Sequence, residues 1–212
     1  MGKRTFFWVA FFFILFWVLV FGSGLGLLNY AHGQFPGFQT HRSKKLGIEF
    51  NYQDILKVSE KDGVVTIEHS VPFEHYDPCD RSGRNQKSKK ILDFYAKITF
   101  LPLTPTELFV QQVMERNEAG DVKGVKNTVR VTYGKLGGFR LYNGEGGCGP
   151  HSYFFQLSPE NVLRVDRWPA PEFKEMTESE KQMRNRLRQI ILPEQEEHFF
   201  REILTSLTVG DR

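Results

Sequence analysis

The chain has 212 residues, of which 40% are hydrophobic and 25% charged, and its formal net charge at pH 7 is +3. A surplus that small does not imply nucleic acid as a partner. Once an apolar N-terminal run is set aside, about 165 residues remain, enough for one domain with its own core.

Lys3 and Arg4 precede an apolar stretch from Thr5 to Leu28 that contains no Lys, Arg, Asp or Glu. About 20 apolar residues suffice for a helix to cross a bilayer core of roughly 30 Å. Residues 1–28 are therefore expected to form one transmembrane helix, retained as an anchor. Cleavage as a signal peptide is the alternative, since Gly22-Ser23-Gly24 and Ala31-His32-Gly33 are small-x-small sites. Arg42, Lys44 and Lys45 follow the helix, so counting charges does not fix orientation. The proximal pair Lys3 and Arg4 favours a cytoplasmic N-terminus. The predicted location is a cell membrane, single-pass, with the C-terminal domain extracytoplasmic.

Residues 29–45 carry Gly, Pro and polar residues without periodicity and read as a linker. The domain is then 46–209. In Leu46–Tyr52, Leu46, Ile48, Phe50 and Tyr52 alternate on one strand face. Lys61-Asp62-Gly63 joins Leu56 and Val58 to Val65 and Ile67 in a hairpin, because Asp-Gly tolerates the positive φ of a tight turn. Residues 72–90 read as a polar loop, and Phe94, Ala96, Ile98 and Phe100 mark a half-buried strand.

Thr104-Pro105-Thr106-Glu107 opens a helix: a capping threonine, proline at the first position, glutamate at the third. Phe109/Val113 and Val110/Met114 predict its buried stripe, with Gly120 ending the region. Alternation returns at Val129–Tyr133, Phe139–Leu141, Tyr153–Leu157 and Val162–Trp168. Tyr153, Phe154 and Phe155 occupy both faces of one strand. Thr177 and Glu180 open a charged helix with Met183, Leu187, Ile190 and Ile191 inward, and Pro193 breaks or restarts it. Phe199/Ile203/Leu207 and Phe200/Leu204 make the last helix amphipathic. Runs of strands with helices between and after them predict an α+β fold, mainly antiparallel sheet covered by helices.

The start LGIEFNY (Leu46–Tyr52), a short hairpin, a strand, a helix, an antiparallel meander and a closing helix FFREILTSLTV (Phe199–Val209) together resemble the PsbP-like domains. The resemblance implies an α/β/α sandwich. It also implies an accessory role, since family members in photosynthetic membranes bind a partner complex and sometimes metal ions, and many bacterial ones are secreted or anchored. It carries no ligand residue over to this chain, and segments 72–90 and 169–192 look like insertions.

Cys79 and Cys148 are expected to form a disulfide, as two cysteines in a membrane-targeted chain do. Such a bridge closes a loop of about 69 residues and adds on the order of 4 kcal/mol. His75 lies four before Cys79 and His151 three after Cys148, so the alternative is a tetrahedral zinc on His75, Cys79, Cys148 and His151. A third reading makes Cys148 a nucleophile with His151 or His69 as base. The glycine run 144–149 lacks the Gly-Lys-Ser/Thr ending of a phosphate loop. Arg81, Arg84, Lys87, Lys89 and Lys90 form an acid-free basic stretch that reads first as a solvated loop and, as the functional alternative, as a contact for an anionic surface, which Arg42, Lys44 and Lys45 could join.

The sequence reading is thus a membrane-anchored extracytoplasmic accessory or binding module, non-enzymatic and without cofactor. Its partners are the membrane and an envelope protein or polyanion, with no nucleic acid. The competing class is a cysteine- or zinc-dependent hydrolase using Cys148 and His151; a purely structural envelope protein is the third.

Overall fold

A computed structural model describes residues 37–76, 79, 87–116, 122–144, 148–169, 178–179, 182, 187 and 189–210. The predicted anchor at 1–28 and the basic residues Arg81 and Arg84 lie outside them. Among the described residues no helix is long and apolar enough to cross a membrane.

Most of the domain is antiparallel sheet with two helices. Strands β1 (Phe38–Ser43) and β2 (Ile48–Gln53) pair with the short C-terminal β12 (Thr208–Val209) in the order β1-β2-β12. The main sheet has seven strands. They are β3 (Lys57–Lys61), β4 (Val64–Tyr76), β5 (Lys87–Leu101), β8 (Thr128–Tyr133), β9 (Leu136–Tyr142), β10 (His151–Ser158) and β11 (Asn161–Arg167). Their order is β3-β4-β5-β11-β10-β9-β8. A two-stranded ribbon, β6 (Met114–Arg116) with β7 (Val122–Val125), stands apart. Helix α1 is Pro105–Leu108, continued by a π-helical turn Phe109–Val113, and α2 is Pro193–Ser206.

Both sheet faces are covered, which the run Tyr153-Phe154-Phe155 required. Tyr153 lies 5.0 Å from Phe200 of α2, ring to ring. Phe154 points the other way, into a cluster with Leu108, Val113, Leu141 and Val162. Alternation in β10 thus places three buried rings on two faces. Helix α2 buries Phe199, Phe200, Ile203 and Leu204 and packs against β2 as well as the main sheet.

The hairpin turn forms as expected, with φ of 52° at Asp62 and 78° at Gly63. The capping box is also present: Thr104 Oγ1 accepts the Glu107 N–H, and Glu107 accepts the Thr104 N–H at 2.8 Å. That N–H and the Thr104 hydroxyl hold the Glu107 carboxyl below its ordinary value. The helix it opens is far shorter than expected. The chain leaves it through the π-turn into β6, so Phe109 and Val110 are exposed and the buried contacts come from Leu108 and Val113. A cap fixes where a helix begins and says little about its length.

Two further readings are corrected. Residues 38–43, read as linker, form β1. The strand escapes notice because most of its side chains are exposed, and its pairing rests on cross-strand contacts such as Arg42 with Glu49 at 2.6 Å and Thr40 with Asn51 at 2.9 Å. Residues 72–76 and 87–90, read as loop, extend the β4–β5 hairpin, with bulges that absorb the local irregularity around Pro72. The predicted charged helix opening at Thr177 falls largely outside the described residues. Ile190 and Ile191 are buried as expected, and Leu187 is partly so.

Two polar anchors pin the C-terminal segment. In the β4–β5 ladder His69 pairs with Phe94 and Ser70 with Leu92, which leaves Asp93 as the extra, bulged residue. The bulge turns Asp93 inward, 1% exposed, where it meets His69 Nδ1 at 2.7 Å and accepts the Ile191 N–H at 2.8 Å. On the adjacent strand β11, Arg167 donates from Nε to Glu196 of α2 at 2.7 Å, from Nη2 to the same carboxylate and from Nη1 to Glu197. Its guanidinium also lies 4.7 Å from the Phe200 ring centre. Burial opposes the Arg167 charge, but hydrogen bonds and the charge of Glu196 outweigh it and raise its pKa. Burial pushes Glu196 upward against the pull of Arg167.

Candidate functional site

The strongest candidate is a groove at the end of the main sheet, beside the disulfide. Cys79 and Cys148 are bonded, with Cα atoms 5.5 Å apart. The bond ties the tip of the β4–β5 hairpin to the β9–β10 connection. That connection is tight: Asn143 N–H donates to Pro150 O at 3.0 Å. A Cβ on Gly144 would fall 2.5 Å from the Cys148 carbonyl oxygen and 2.7 Å from Gly149 Cα. Only glycine permits that approach.

The groove has a volume of about 950 Å³ and is lined chiefly by Glu115, Lys126, Arg140, Tyr142, Asn143 and His151, with Cys148 in its wall. That volume lies at the upper end for small-ligand sites. Strand register builds its face. Arg140 and Tyr142 are two apart on β9 and so project to the same side, about 7 Å apart. Val129 of β8 sits opposite Arg140, and His151 of β10 opposite Tyr142. The Tyr142 and His151 rings are 5.1 Å apart.

A directed hydrogen-bond chain runs from this groove into the protein. Asp166 is acceptor-only when ionised, so the buried Ser152 hydroxyl donates to it, at 2.6 Å. Ser152 Oγ then accepts from Asn143 Nδ2 at 2.8 Å, which turns Asn143 Oδ1 toward Lys126 Nζ at 3.3 Å. Arg164 Nε completes the far end, donating to Asp166 at 2.9 Å. The chain fixes the Asn143 amide and holds one of the three Lys126 donors, leaving the others to the groove. Ser152 is fully buried. It is a link in this chain, with no access to a substrate.

The sequence-predicted residues are distributed as follows. Cys79 and Cys148 form the expected disulfide, so neither thiolate is left to bind zinc or attack a carbonyl. His75 is buried in β4 and directs Nδ1 at the Phe73 carbonyl, 3.2 Å away; the carbonyl can only accept, so Nδ1 carries the proton. His151 faces the groove. His69 is committed to Asp93. Among the described residues no group of three or more His, Cys, Asp or Glu is placed to hold a metal ion.

Of the basic stretch, Lys87 donates to Glu74 at 2.9 Å and sits 5.5 Å over the Tyr76 ring, while Lys89 and Lys90 are exposed. The hydrogen bond and charge of Lys87 hold Glu74 below its ordinary value, and Glu74 raises Lys87 in return. Lys45 does not join this stretch. It lies beside Gly63 at the β3–β4 turn, and β4 runs thirteen residues from there to Tyr76, roughly 40 Å at strand rise. Arg42 is likewise paired to Glu49 on the small sheet.

Sequence reasoning missed Lys126, Arg140 and Tyr142 as a group. Nothing in their spacing marks them, because three strands and a ribbon bring them together. The glycine run 144–149 was the one visible sign of a special backbone there.

No family model matches the chain, and no curated protein sequence matches it. Among solved structures it is similar to a crystal structure, determined at 1.50 Å, from Bacteroides thetaiotaomicron VPI-5482, with 10% identity and a TM-score of 0.41. The match covers 82% of this chain and 49% of that one, so this chain spans about half that protein's length. Likeness of that degree transfers neither fold nor function.

Proposed function

We propose that this protein is an extracytoplasmic accessory or binding module of PsbP-like type, held at a membrane by the apolar run Thr5–Leu28 and working without chemistry of its own. The observation that carries the reading is the closed Cys79–Cys148 bridge in the wall of a polar groove. Disulfides persist in oxidising compartments, and this one withdraws both cysteines from catalysis. The family reading expects a hairpin, a strand, a helix, a meander and a closing helix; the chain has these elements in that order, with the β6–β7 ribbon between helix and meander. The exposed Lys89 and Lys90, in a stretch of sequence that also holds Arg81 and Arg84, suit a polyanionic partner.

The test uses the full chain in bacterial membranes. Intact mass without reductant should be short by two hydrogens, with residues 1–28 present. The domain should be digested by protease added outside spheroplasts. Free thiols, or a domain protected from outside protease, would overturn the reading.

A further inference from the structure

We infer that the groove beside the disulfide binds a carboxylated sugar chain, with Arg140 taking the carboxylate, Tyr142 and Val129 the ring face, and Lys126 and His151 the hydroxyls. This rests on the binding-module reading above and names its ligand class.

The charge pattern selects an anion. Arg140 has no carboxylate partner among the described residues, and the one hydrogen bond of the Lys126 ammonium goes to the neutral Asn143 amide. On the central strand β11 both guanidinium groups are engaged, Arg164 with Asp166 and Arg167 with Glu196 and Glu197, whereas, among the described residues, Arg140, like Arg130 of β8, is not. Among the described lining residues two cations, Lys126 and Arg140, meet one carboxylate, Glu115. A guanidinium presents a planar fork matched to a carboxylate.

The apolar surface selects a ring. Tyr142 is 38% exposed and Val129 45%, both large apolar groups left open to solvent on a wall that also carries charged and amide side chains. Register puts Val129 directly across from Arg140, and Tyr142 one strand repeat away on the same face. A sugar ring lying on that apolar step carries its carboxylate to Arg140. Its hydroxyls then face donors and acceptors of both kinds: Lys126, Asn127, His151 and Glu115. The hydrogen-bond chain through Asn143, Ser152 and Asp166 holds Lys126 in place before any ligand arrives, which lowers the ordering cost of binding. At about 950 Å³ the groove is large enough for more than one sugar unit. Its cations add steering that salt will screen.

The experiment titrates the full chain in nanodiscs with a galacturonic acid trimer and, separately, with the neutral galactose trimer, by calorimetry. The acidic trimer should bind at least tenfold more tightly, and Arg140→Met should remove that preference. Tyr142→Ala should weaken both trimers together, and Lys61→Ala, at the far edge of the sheet, should change neither. Hydroxyl-radical footprinting of the unmodified protein should show Tyr142 protected by the acidic trimer, a readout independent of any variant's folding. Equal affinity for the two trimers, or no protection of Tyr142, overturns the inference. If thiol content and protease access still come out as expected above, the loss falls on this ligand alone. Free thiols or a protected domain would remove the underlying reading instead.

Discussion

Replacing Arg167 by methionine tests the tie between sheet and closing helix. Arg167 is 9% exposed and Glu196 5%. The guanidinium holds Glu196 through two nitrogens, reaches Glu197 with a third and lies over Phe200. Methionine fills much of the volume but leaves the Glu196 carboxylate buried without a counter-charge. Removing one partner of a buried pair costs about 3–5 kcal/mol, most of it the penalty on the charge left behind. For a domain of this size that lowers Tm by roughly 6–20 °C. Urea unfolding followed by circular dichroism reads the loss directly. The reasoning makes two further demands. Replacing both partners, as Arg167→Met with Glu196→Leu, should recover most of the stability, since the penalty belongs to the orphaned charge. The deficit of the single variant should also depend on pH. Burial already raises Glu196, and without Arg167 nothing pulls it back. Its folded pKa then exceeds its unfolded value, so the folded variant takes up a proton that the unfolded chain releases. Stability therefore falls as pH rises through that window, and the deficit is small in acid and full at neutral pH. A loss below 1 kcal/mol at pH 7, or a double variant no better than the single, would refute the account.

Replacing both cysteines by serine should cost about 4 kcal/mol in the chain-entropy model, given a sequence separation of 69. Reducing the wild type should match it in the same urea experiment. Asp93→Ala strands the Ile191 N–H and His69 at once, for a loss of about 1–3 kcal/mol, while Asp93→Asn keeps an acceptor and should lose less; amide exchange at Ile191 should rise in step. Burial pushes Tyr133 up to about 12 from 10.0. Its raised value means that its contribution is intact below pH 10 and is lost as pH rises through about 12. Ultraviolet titration should therefore show a late tyrosinate step that Tyr133→Phe abolishes.

Much of the fold could be read from local chemistry. The Asp62-Gly63 turn, the Thr104 capping box, the buried alternations in β5, β10 and β11 and the apolar stripe of α2 each depend on residues a few positions apart, so the chain itself reports them. Where side chains face solvent that signal fades, as in β1, and where bulges break the period it misleads, as around Pro72. The cysteine pairing is expected from there being two cysteines behind the apolar run Thr5–Leu28.

By itself, then, the sequence determined the α+β class and most strands and turns of the sheet, and it put the disulfide first among three readings of the cysteines, because propensity, periodicity and cysteine number are local or additive properties. Tertiary structure alone decided that α1 stops after one turn, that a bulge turns Asp93 inward and that Glu115, Lys126, Arg140, Tyr142 and His151 share one groove. Those outcomes rest on pairing between strands far apart in the chain, whose register no short window of residues encodes.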